Sequence, residues 1–190
     1  VFDFQAGMLS HGESVAPGGG FGFGPRHLDF HPTQPWVYVS LERQNALDMF
    51  RLQRRRLSAL PAFRKSTLAD SGSGRRQLVG TVHVHPGGRT VYVANRANDT
   101  AGENSLAVFA IDPTTGEPNL VQHIDTQGVH PRCFHIDPSG RLLVVAHIMG
   151  AADMPARLSV FRIGDDGRLA FVRTYDVDVG DRTMWWMGMA

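Results

Sequence analysis

The stretch GPRHLDFHPTQPWVYVSLE (24–42) recurs twice in altered form along the chain. The second copy is LVGTVHVHPGGRTVYVANR (78–96), and the third is HPRCFHIDPSGRLLVVAHI (130–148). Pro32, Pro86 and Pro138 hold the same place in the three copies, at intervals of 54 and 52 residues. A repeat of about fifty residues that contains several short strands is typical of one blade of a β-propeller.

Each repeat is predicted to form four antiparallel strands. The first strand alternates in polarity and ends at a His-Pro or Asp-Pro turn, and the second is β-branched and aromatic. The third ends near a Met-Phe or Val-Phe pair, and the fourth follows a turn such as Asp165-Asp166-Gly167. The polar, Gly/Ser-rich stretch 64–74 is interpreted as a surface loop. No helix is predicted.

The repeats divide one partial propeller domain, 1–190, into blades at about 21–74, 75–127 and 128–179. Residues 1–20 match the last two strands of an earlier blade, and 180–190 match the first strand of a later one. Propellers close into rings because an open blade exposes apolar surface and strand edges. We therefore expect the C-terminal portion of a longer protein whose N-terminal blades are missing here, or a chain that associates with itself.

Composition excludes several classes of function. The formal charge is +1, from 19 Lys and Arg against 18 Asp and Glu, which argues against nucleic acid and membrane surfaces as partners. A single cysteine, Cys133, excludes a disulfide framework and a multi-cysteine zinc site. No apolar run approaches the roughly 20 residues of a membrane span, and the start is not a signal peptide, so a cytoplasmic location is expected. No metal or other cofactor is predicted.

Strand direction predicts where charged side chains meet. In an antiparallel pair, the start of the first strand and the end of the second lie at the same end of the sheet. Arg26 and Arg132 precede first strands, whereas Glu42 and Arg96 follow second strands. These four residues are expected to cluster at one face of the propeller near its axis, with the His-Pro turns at the opposite face.

Several segments resemble the lactonase family of seven-bladed β-propellers, which includes 6-phosphogluconolactonases and 3-carboxy-cis,cis-muconate lactonizing enzymes. They are GPRHLDFHP (24–32), VANR (93–96), PRCFHIDPSGRLLVVA (131–146) and MWW (184–186). The resemblance covers nearly the whole chain but only about the C-terminal half of the family's length. Two departures are His147-Ile148, where the family often has Asn-Gln, and Arg182-Thr183, which replace a Gly-Pro pair.

The resemblance implies a lactone hydrolase similar to 6-phosphogluconolactonase, which acts on a small anionic lactone without a cofactor. It implies that Glu42 is the general base and that Arg26 and Arg96 are catalytic, as clamps for anions and for a developing oxyanion. Substrate-binding roles are expected for three more residues, His83, Arg132 and His27.

Two other functions stay open. One is lactonisation of a muconate-like diacid, and the other is a non-enzymatic scaffold that binds a partner through the face of the propeller. Structural roles also stay open for the candidates. Arg26 and Arg132 would tie the loop that joins one blade to the next. Glu42 would form an ion pair, His83 would be a hydrogen-bonded channel histidine, and His27 would orient Arg26.

Other conspicuous residues have simple structural interpretations. Cys133 is expected to be a small buried side chain. The run 54–56, three arginines, is interpreted as a solvated outer edge that discourages edge pairing. Trp185 and Trp186 are expected to fill the core between blades.

Overall fold

The protein is built from antiparallel β-sheets. The computed structural model describes residues 1–54, 56–70, 77–148 and 155–189. Within these ranges the only helical element is a single 3-10 turn at Pro17–Gly19. The strands are β1 Phe2–Gln5, β2 Met8–His11, β3 Pro25–Phe30, β4 Trp36–Leu41, β5 Ala46–Gln53, β6 Arg56–Leu57, β7 Phe63–Ser66, β8 Leu78–Val84, β9 Thr90–Arg96, β10 Ser105–Ile111, β11 Pro118–Asp125, β12 Pro131–Ile136, β13 Leu142–His147, β14 Ala156–Ile163 and β15 Leu169–Val177.

The strands form one hairpin and three consecutive blades. β1 and β2 pair with each other, and the blades have the strand orders β3-β4-β5-β7, β8-β9-β10-β11 and β12-β13-β14-β15. β6 extends the first blade by pairing with the end of β5. The predicted all-β architecture of four-stranded antiparallel blades is confirmed.

The first strand of each blade is the innermost one. β8 packs against both β3 and β12, so these three strands stand side by side along the axis. All three strands run in the same direction, since each is the first strand of a blade with the same antiparallel strand order. Residues at their starts therefore meet at one end of the axial channel, and residues at their ends meet at the other.

Alternation along the strands supplies the core between blades. Trp36 and Tyr38 of β4 face the second blade, where they pack with Val91 and Phe109. Tyr92 of β9 faces the third blade in the same manner, within a second apolar cluster. Successive side chains of a strand point to opposite faces, so each buried blade contributes to two such clusters.

Two kinds of side-chain hydrogen bond, one from histidine and one from tyrosine, recur between successive blades. His31 Nε2 donates to the Gly88 carbonyl at 2.8 Å, and His85 Nε2 donates to the Gly140 carbonyl at 2.9 Å. Gly88 is required at its position, because its φ is +71° and a Cβ there would lie 2.7 Å from the His31 ring. Two buried tyrosines repeat one contact at 2.9 Å each, Tyr38 Oη to the Gly116 carbonyl and Tyr92 Oη to the Gly167 carbonyl.

The loop interpretation of 64–74 is wrong for its first part. Phe63–Ser66 is β7, the outer strand of the first blade. Its Arg64 donates to both carboxylate oxygens of Asp48, at 2.7 and 2.8 Å, and Asp48 is wholly buried. A buried carboxylate needs such a bidentate partner, so this ion pair holds the strand together with Phe63, which packs against the apolar cluster between the first two blades. Residues 71–74 lie outside the described ranges.

The C-terminal segment differs from expectation, whereas in the arginine run Arg54 and Arg56 are exposed, as expected for a solvated outer edge. The segment 180–190, predicted to begin a later blade, contains no strand within 178–189, and Ala190 is not described. In the arginine run, Arg54 occupies a turn and Arg56 a short strand, where its guanidinium pairs with Glu13 at 3.2 Å. The third member, Arg55, falls outside the described residues.

Exposed apolar side chains concentrate at the two ends of the series of blades. At the first end they lie on β1, β2 and β3 and the intervening segment, and at the last end mainly on β13 and β15. They are Phe2, Phe4, Met8, Leu9, Phe21, Leu28 and Phe30 at the first end, and Leu142, Phe171, Val172 and Tyr175 at the last. Apolar surface of this kind favours association.

We expect the 190-residue chain to associate with itself at micromolar concentration, because burial of these blade faces removes apolar area from water. Light scattering should give a mass above the 20.9 kDa of the monomer. The double variant Leu28→Lys/Phe30→Lys should shift the mass toward the monomer, whereas Leu60→Lys, at an exposed bend, serves as the control. A monodisperse monomer for the unmodified chain would contradict the expectation.

Candidate active site

Glu42 is fixed by its backbone at the junction of two inner strands. It follows β4 directly, its N–H donates to the Gly24 carbonyl at 3.1 Å, and its carbonyl accepts from the Val79 N–H at 2.9 Å. These bonds tie Glu42 to the starts of β3 and β8. The side chain therefore lies at the end of the channel where the inner strands begin.

Two arginines from different blades meet the Glu42 carboxylate. Arg26, the second residue of β3, places Nε 3.3 Å from Glu42 Oε1. Arg96, the last residue of β9, donates from Nη2 to the same oxygen. Arg26, Glu42 and Arg96 thus lie together at one end of the channel, as strand direction predicts. Their catalytic roles stay predictions.

Arg96 is also held from a third blade, by His130. The Arg96 guanidinium is only 5% exposed, and Nη1 donates to His130 Nε2 at 2.7 Å. His130 Nδ1 lies 2.8 Å from Asn98 Oδ1. Because a guanidinium only donates, Nε2 must accept and Nδ1 must carry the proton given to Asn98. His130 is therefore a neutral imidazole of one defined tautomer.

Burial and positive neighbours keep the histidines of this end neutral. Burial, together with the positive charges of Arg96, Arg132 and Arg26, lowers the pKa of His130 to about 4. Burial and Arg26 likewise lower the pKa of His27 to about 4. Desolvation disfavours a charged imidazole, and nearby guanidinium groups repel it. Both rings accept a hydrogen bond from an arginine, since Arg26 Nη1 donates to His27 Nδ1 at 3.3 Å.

The same environment acts on the arginines. Burial lowers the pKa of Arg26 to about 10, with Arg96 and Arg132 in the same direction and Glu42 opposed. Burial also lowers the pKa of Arg96, against the attraction of Glu42. Three guanidinium groups, Arg26, Arg96 and Arg132, therefore face one carboxylate, and this end of the channel carries an excess of positive charge.

Arg132 lies beside the cluster and is covered by the C-terminal segment. Its guanidinium stands 4.0 Å from the centre of the Trp185 ring. Trp186 contacts the rings of His27 and His135 edge-on, at 6.0 and 6.2 Å between centroids. The two tryptophans are 62% and 61% exposed, so the expectation that they fill the core between blades is wrong. Arginine and histidine attract these rings to the mouth of the channel instead.

His83 lies further along the channel. Its Nδ1 is 3.3 Å from Asp29 Oδ2, and its ring contacts Phe134 and His135. Asp29, His83 and His135 hold the same position in the three repeats, so one residue from each blade forms this line. In the described part of the chain, the His83 side chain contacts Asp29, Phe134 and His135, and no hydrogen bond joins it to Arg26, Glu42 or Arg96. A substrate-binding role for His83 stays a prediction.

Sequence reasoning missed His130, although the repeats contain a signal for it. His130 aligns with Gly24, and both adopt a left-handed backbone, with φ of +56° and +55°. A non-glycine residue in that region costs of order 1–3 kcal/mol. A hydrogen bond to a charged group contributes about 1.5–3 kcal/mol, so the contact with Arg96 is large enough to offset the strain. Histidine in place of glycine at a strained position indicates a special role.

His147 and Cys133, which the sequence analysis also singled out, are buried within the blades. His147 is fully buried, and its Nδ1 donates to the Arg157 carbonyl at 3.2 Å, so it packs within the third blade. Cys133 is buried as expected. No group of three or more His, Cys, Asp or Glu side chains that could hold a metal ion occurs in the ranges that the structure describes. In those ranges no helix is long and apolar enough to cross a membrane.

Comparison with known proteins identifies relatives in a lactonase family. A family model described as "Lactonase, 7-bladed beta-propeller" matches residues 1–184. The 6-phosphogluconolactonase of Bacillus subtilis is 35% identical over an alignment of 158 residues, and the match covers 77% of this chain and 40% of that protein. That of Formosa agariphila is 32% identical over 126 residues, 66% of this chain and 34% of that protein. The chain spans about two-fifths or less of the length of these relatives.

Solved structures agree in fold. The periplasmic gluconolactonase PpgL of Pseudomonas aeruginosa superposes with a TM-score of 0.71 at 27% identity, covering 85% of this chain and 42% of that one. A protein from Lactobacillus plantarum superposes with a TM-score of 0.74 at 23% identity, covering 96% of this chain and 51% of that one. The second likeness shows the fold alone.

We expect the free energy of unfolding to fall as the pH is lowered from 7 to 4. Burial lowers the pKa values of His130 and His147 to about 4, below the ordinary 6.5, so in this window the unfolded chain binds protons that the folded chain does not. Each such proton changes the free energy of unfolding by roughly 1.4 kcal/mol per pH unit. Urea titrations at pH 7.5 and 5 measure the difference.

The variant His147→Asn should weaken this pH dependence by about one proton, since asparagine does not titrate. Asn95 already occupies the equivalent position in the second blade, where its Nδ2 donates to the Thr67 carbonyl at 2.7 Å. His11→Asn, at an exposed strand, is the matched control. An unchanged pH dependence in His147→Asn would show that folding does not lower the pKa of His147.

Proposed function

The chain belongs to the lactonase family of seven-bladed β-propellers, and from this we propose that it hydrolyses the lactone of a sugar acid. A phosphorylated gluconolactone is the leading substrate, because the curated relatives bear the name 6-phosphogluconolactonase. The whole activity belongs to the polypeptide that carries the complete propeller. The residues described above supply its Arg-Glu centre.

One observation carries the proposal. Arg26 and Arg96 both contact Oε1 of Glu42, which leaves Oε2 as the oxygen available to a water molecule. The Glu42 side chain is 33% exposed, so water reaches it. A carboxylate fixed through one oxygen and open at the other is suited to general-base catalysis.

The reaction follows from that geometry. Glu42 Oε2 takes a proton from water as the water oxygen bonds to the lactone carbonyl carbon. The carbonyl oxygen becomes an oxyanion, which a guanidinium N–H stabilises. The ring C–O bond then breaks, the oxyanion re-forms a carboxylic carbonyl, and the leaving alkoxide takes the proton from Glu42. One lactone and one water thus give one hydroxy acid, and Glu42 returns to its starting state.

Charge and exposure divide the roles of the arginines. With three guanidinium groups against one carboxylate, two positive charges stay uncompensated, which suits the dianion of a phosphate monoester. The Arg26 side chain is 14% exposed and Arg132 is half-buried beside Trp185, whereas Arg96 is almost wholly buried. We therefore assign the phosphate and oxyanion contacts to Arg26 and Arg132. Arg96 holds Glu42 in place.

The other candidate residues would line the rest of the pocket. His27 orients Arg26 through its Nδ1, and His83 with Asp29 forms the wall deeper in the channel. Lactonisation of a muconate-like diacid would use the same arginines and the same base, so the assay includes such a diacid. A non-enzymatic scaffold would show no turnover of any of these substrates. The expected cytoplasmic location stays a prediction.

We expect Glu42→Gln to lower kcat for lactone hydrolysis by about 100-fold or more, because glutamine cannot accept the proton from water. KM should change little, since the arginines keep their charge. The assay uses the longest polypeptide that carries these residues, with 6-phosphogluconolactone, unphosphorylated gluconolactone and a carboxymuconate as alternative substrates. The readout is acid release or lactone absorbance, corrected for spontaneous hydrolysis.

Glu117→Gln is the matched control for this variant. Glu117 is exposed to a similar extent and pairs with Lys65 at 2.5 Å, away from the inner strands. Its loss should leave kcat unchanged. Full turnover by Glu42→Gln on every substrate would end the general-base assignment.

We expect Arg26→Ala and Arg132→Ala to raise KM for the phosphorylated lactone by about 10-fold or more, since each removes a charge-assisted contact to the dianion. The effect should be much smaller with unphosphorylated gluconolactone. Arg162→Ala, at an exposed position of β14, controls for loss of charge alone. Equal effects on the two lactones would rule out phosphate recognition by these arginines.

A further inference from the structure

Among the residues that the structure describes, the Arg96 guanidinium hydrogen-bonds to two side chains, Glu42 and His130. Nη2 donates to Glu42 and Nη1 donates to His130, whereas the buried Nε has no partner among the described residues. In the proposed function, Glu42 is also the residue whose carboxylate Arg96 orients. Without a second, independent attachment, the guanidinium would be free to turn with the carboxylate.

His130 is itself anchored on both sides. Its Nδ1 donates to Asn98 Oδ1, and its backbone N–H donates to Asn104 Oδ1 at 2.8 Å. Asn104 Oδ1 also accepts from the Ala97 N–H at 3.0 Å, and the Asn104 carbonyl accepts from Thr126. The loop after β9 and the loop before β12 are thus joined directly behind the imidazole, so its Nε2 has a fixed position.

We propose that His130 is a positioning residue, which accepts a hydrogen bond from Arg96 and thereby holds the Arg96 guanidinium against Glu42. The proposal rests on the proposed function, in which Glu42 is the base. It adds that the third blade controls the orientation of a carboxylate borne by the first blade, through an arginine of the second. The resulting line is Asn98, His130, Arg96, Glu42.

Neutral histidine suits this task better than a carboxylate would. A carboxylate at the same place would neutralise Arg96 and weaken its attraction for Glu42. A protonated imidazole would lose its acceptor and repel the guanidinium. Arg96, Arg132, Arg26 and His147 all face His130 and oppose its protonation, and burial acts in the same direction. The acceptor is therefore preserved at neutral pH.

The first test needs no variant. In the chain labelled with nitrogen-15, the imidazole shifts of His130 at pH 7 should show a protonated Nδ1 and an unprotonated Nε2. Arginine-selective NMR should also show slow rotation of the Arg96 Nη groups, because both are bonded. An Nε2-protonated tautomer would overturn the proposal, since that ring cannot accept from Arg96.

The second test compares variants of the same polypeptide. His130→Phe keeps a ring but removes the acceptor, so Arg96 rotation should become fast and kcat should fall by about 10- to 100-fold with little change in KM. His130→Gln should restore most of both, because its Oε1 falls near the former Nε2. A purely structural role would lower thermal stability without this kcat-specific loss and without rescue by glutamine.

His85→Phe is the matched control. His85 makes two hydrogen bonds of the same kind, to Gly140 and from Gly87, but it lies at the opposite end of the inner strand. It should lower stability while Arg96 rotation and kcat stay unchanged. Unaltered Arg96 rotation in His130→Phe would overturn the proposal. Absence of turnover in the unmodified polypeptide would count against the proposed function alone, and the NMR measurements would then decide the positioning role.

Discussion

Packing of one blade against the next is the constraint on which the rest of the structure depends. An isolated four-stranded sheet has two faces to bury, and here the second blade buries one face against the first blade and the other against the third. The repeated bonds from His31 and His85 to glycine carbonyls, and from two buried tyrosines, fix how far successive blades turn. They also satisfy polar groups that would be costly to bury unpaired.

The position of the Arg-Glu cluster is a consequence of that packing. Glu42 and Arg96 belong to different sheets, and no local structure joins them. They meet because β3 and β8 lie side by side and because the Glu42 backbone bonds to the starts of both strands. The hydrogen bond of His31 to the Gly88 carbonyl joins the same two blades at the other end of these strands.

Neutral histidines solve an electrostatic difficulty at this end. Buried guanidinium groups require acceptors, yet each added carboxylate would cancel the positive charge that an anionic substrate needs. His27 and His130 accept from Arg26 and Arg96 while they carry no charge. The excess of positive charge is thus kept, and the guanidinium planes are still oriented.

The sequence by itself determined the blades, the direction of their strands and the meeting of Arg26, Glu42 and Arg96, because these follow from a repeat and from antiparallel geometry. It did not identify β7, since a mostly polar outer strand held in part by the Asp48–Arg64 pair carries no alternating apolar signal. Only the tertiary structure decided which donor finds which acceptor. His130 and Arg96 are 34 residues apart, and the two C-terminal tryptophans cover the channel rather than the core. Such contacts depend on the rotation between blades and on burial, which no single strand encodes.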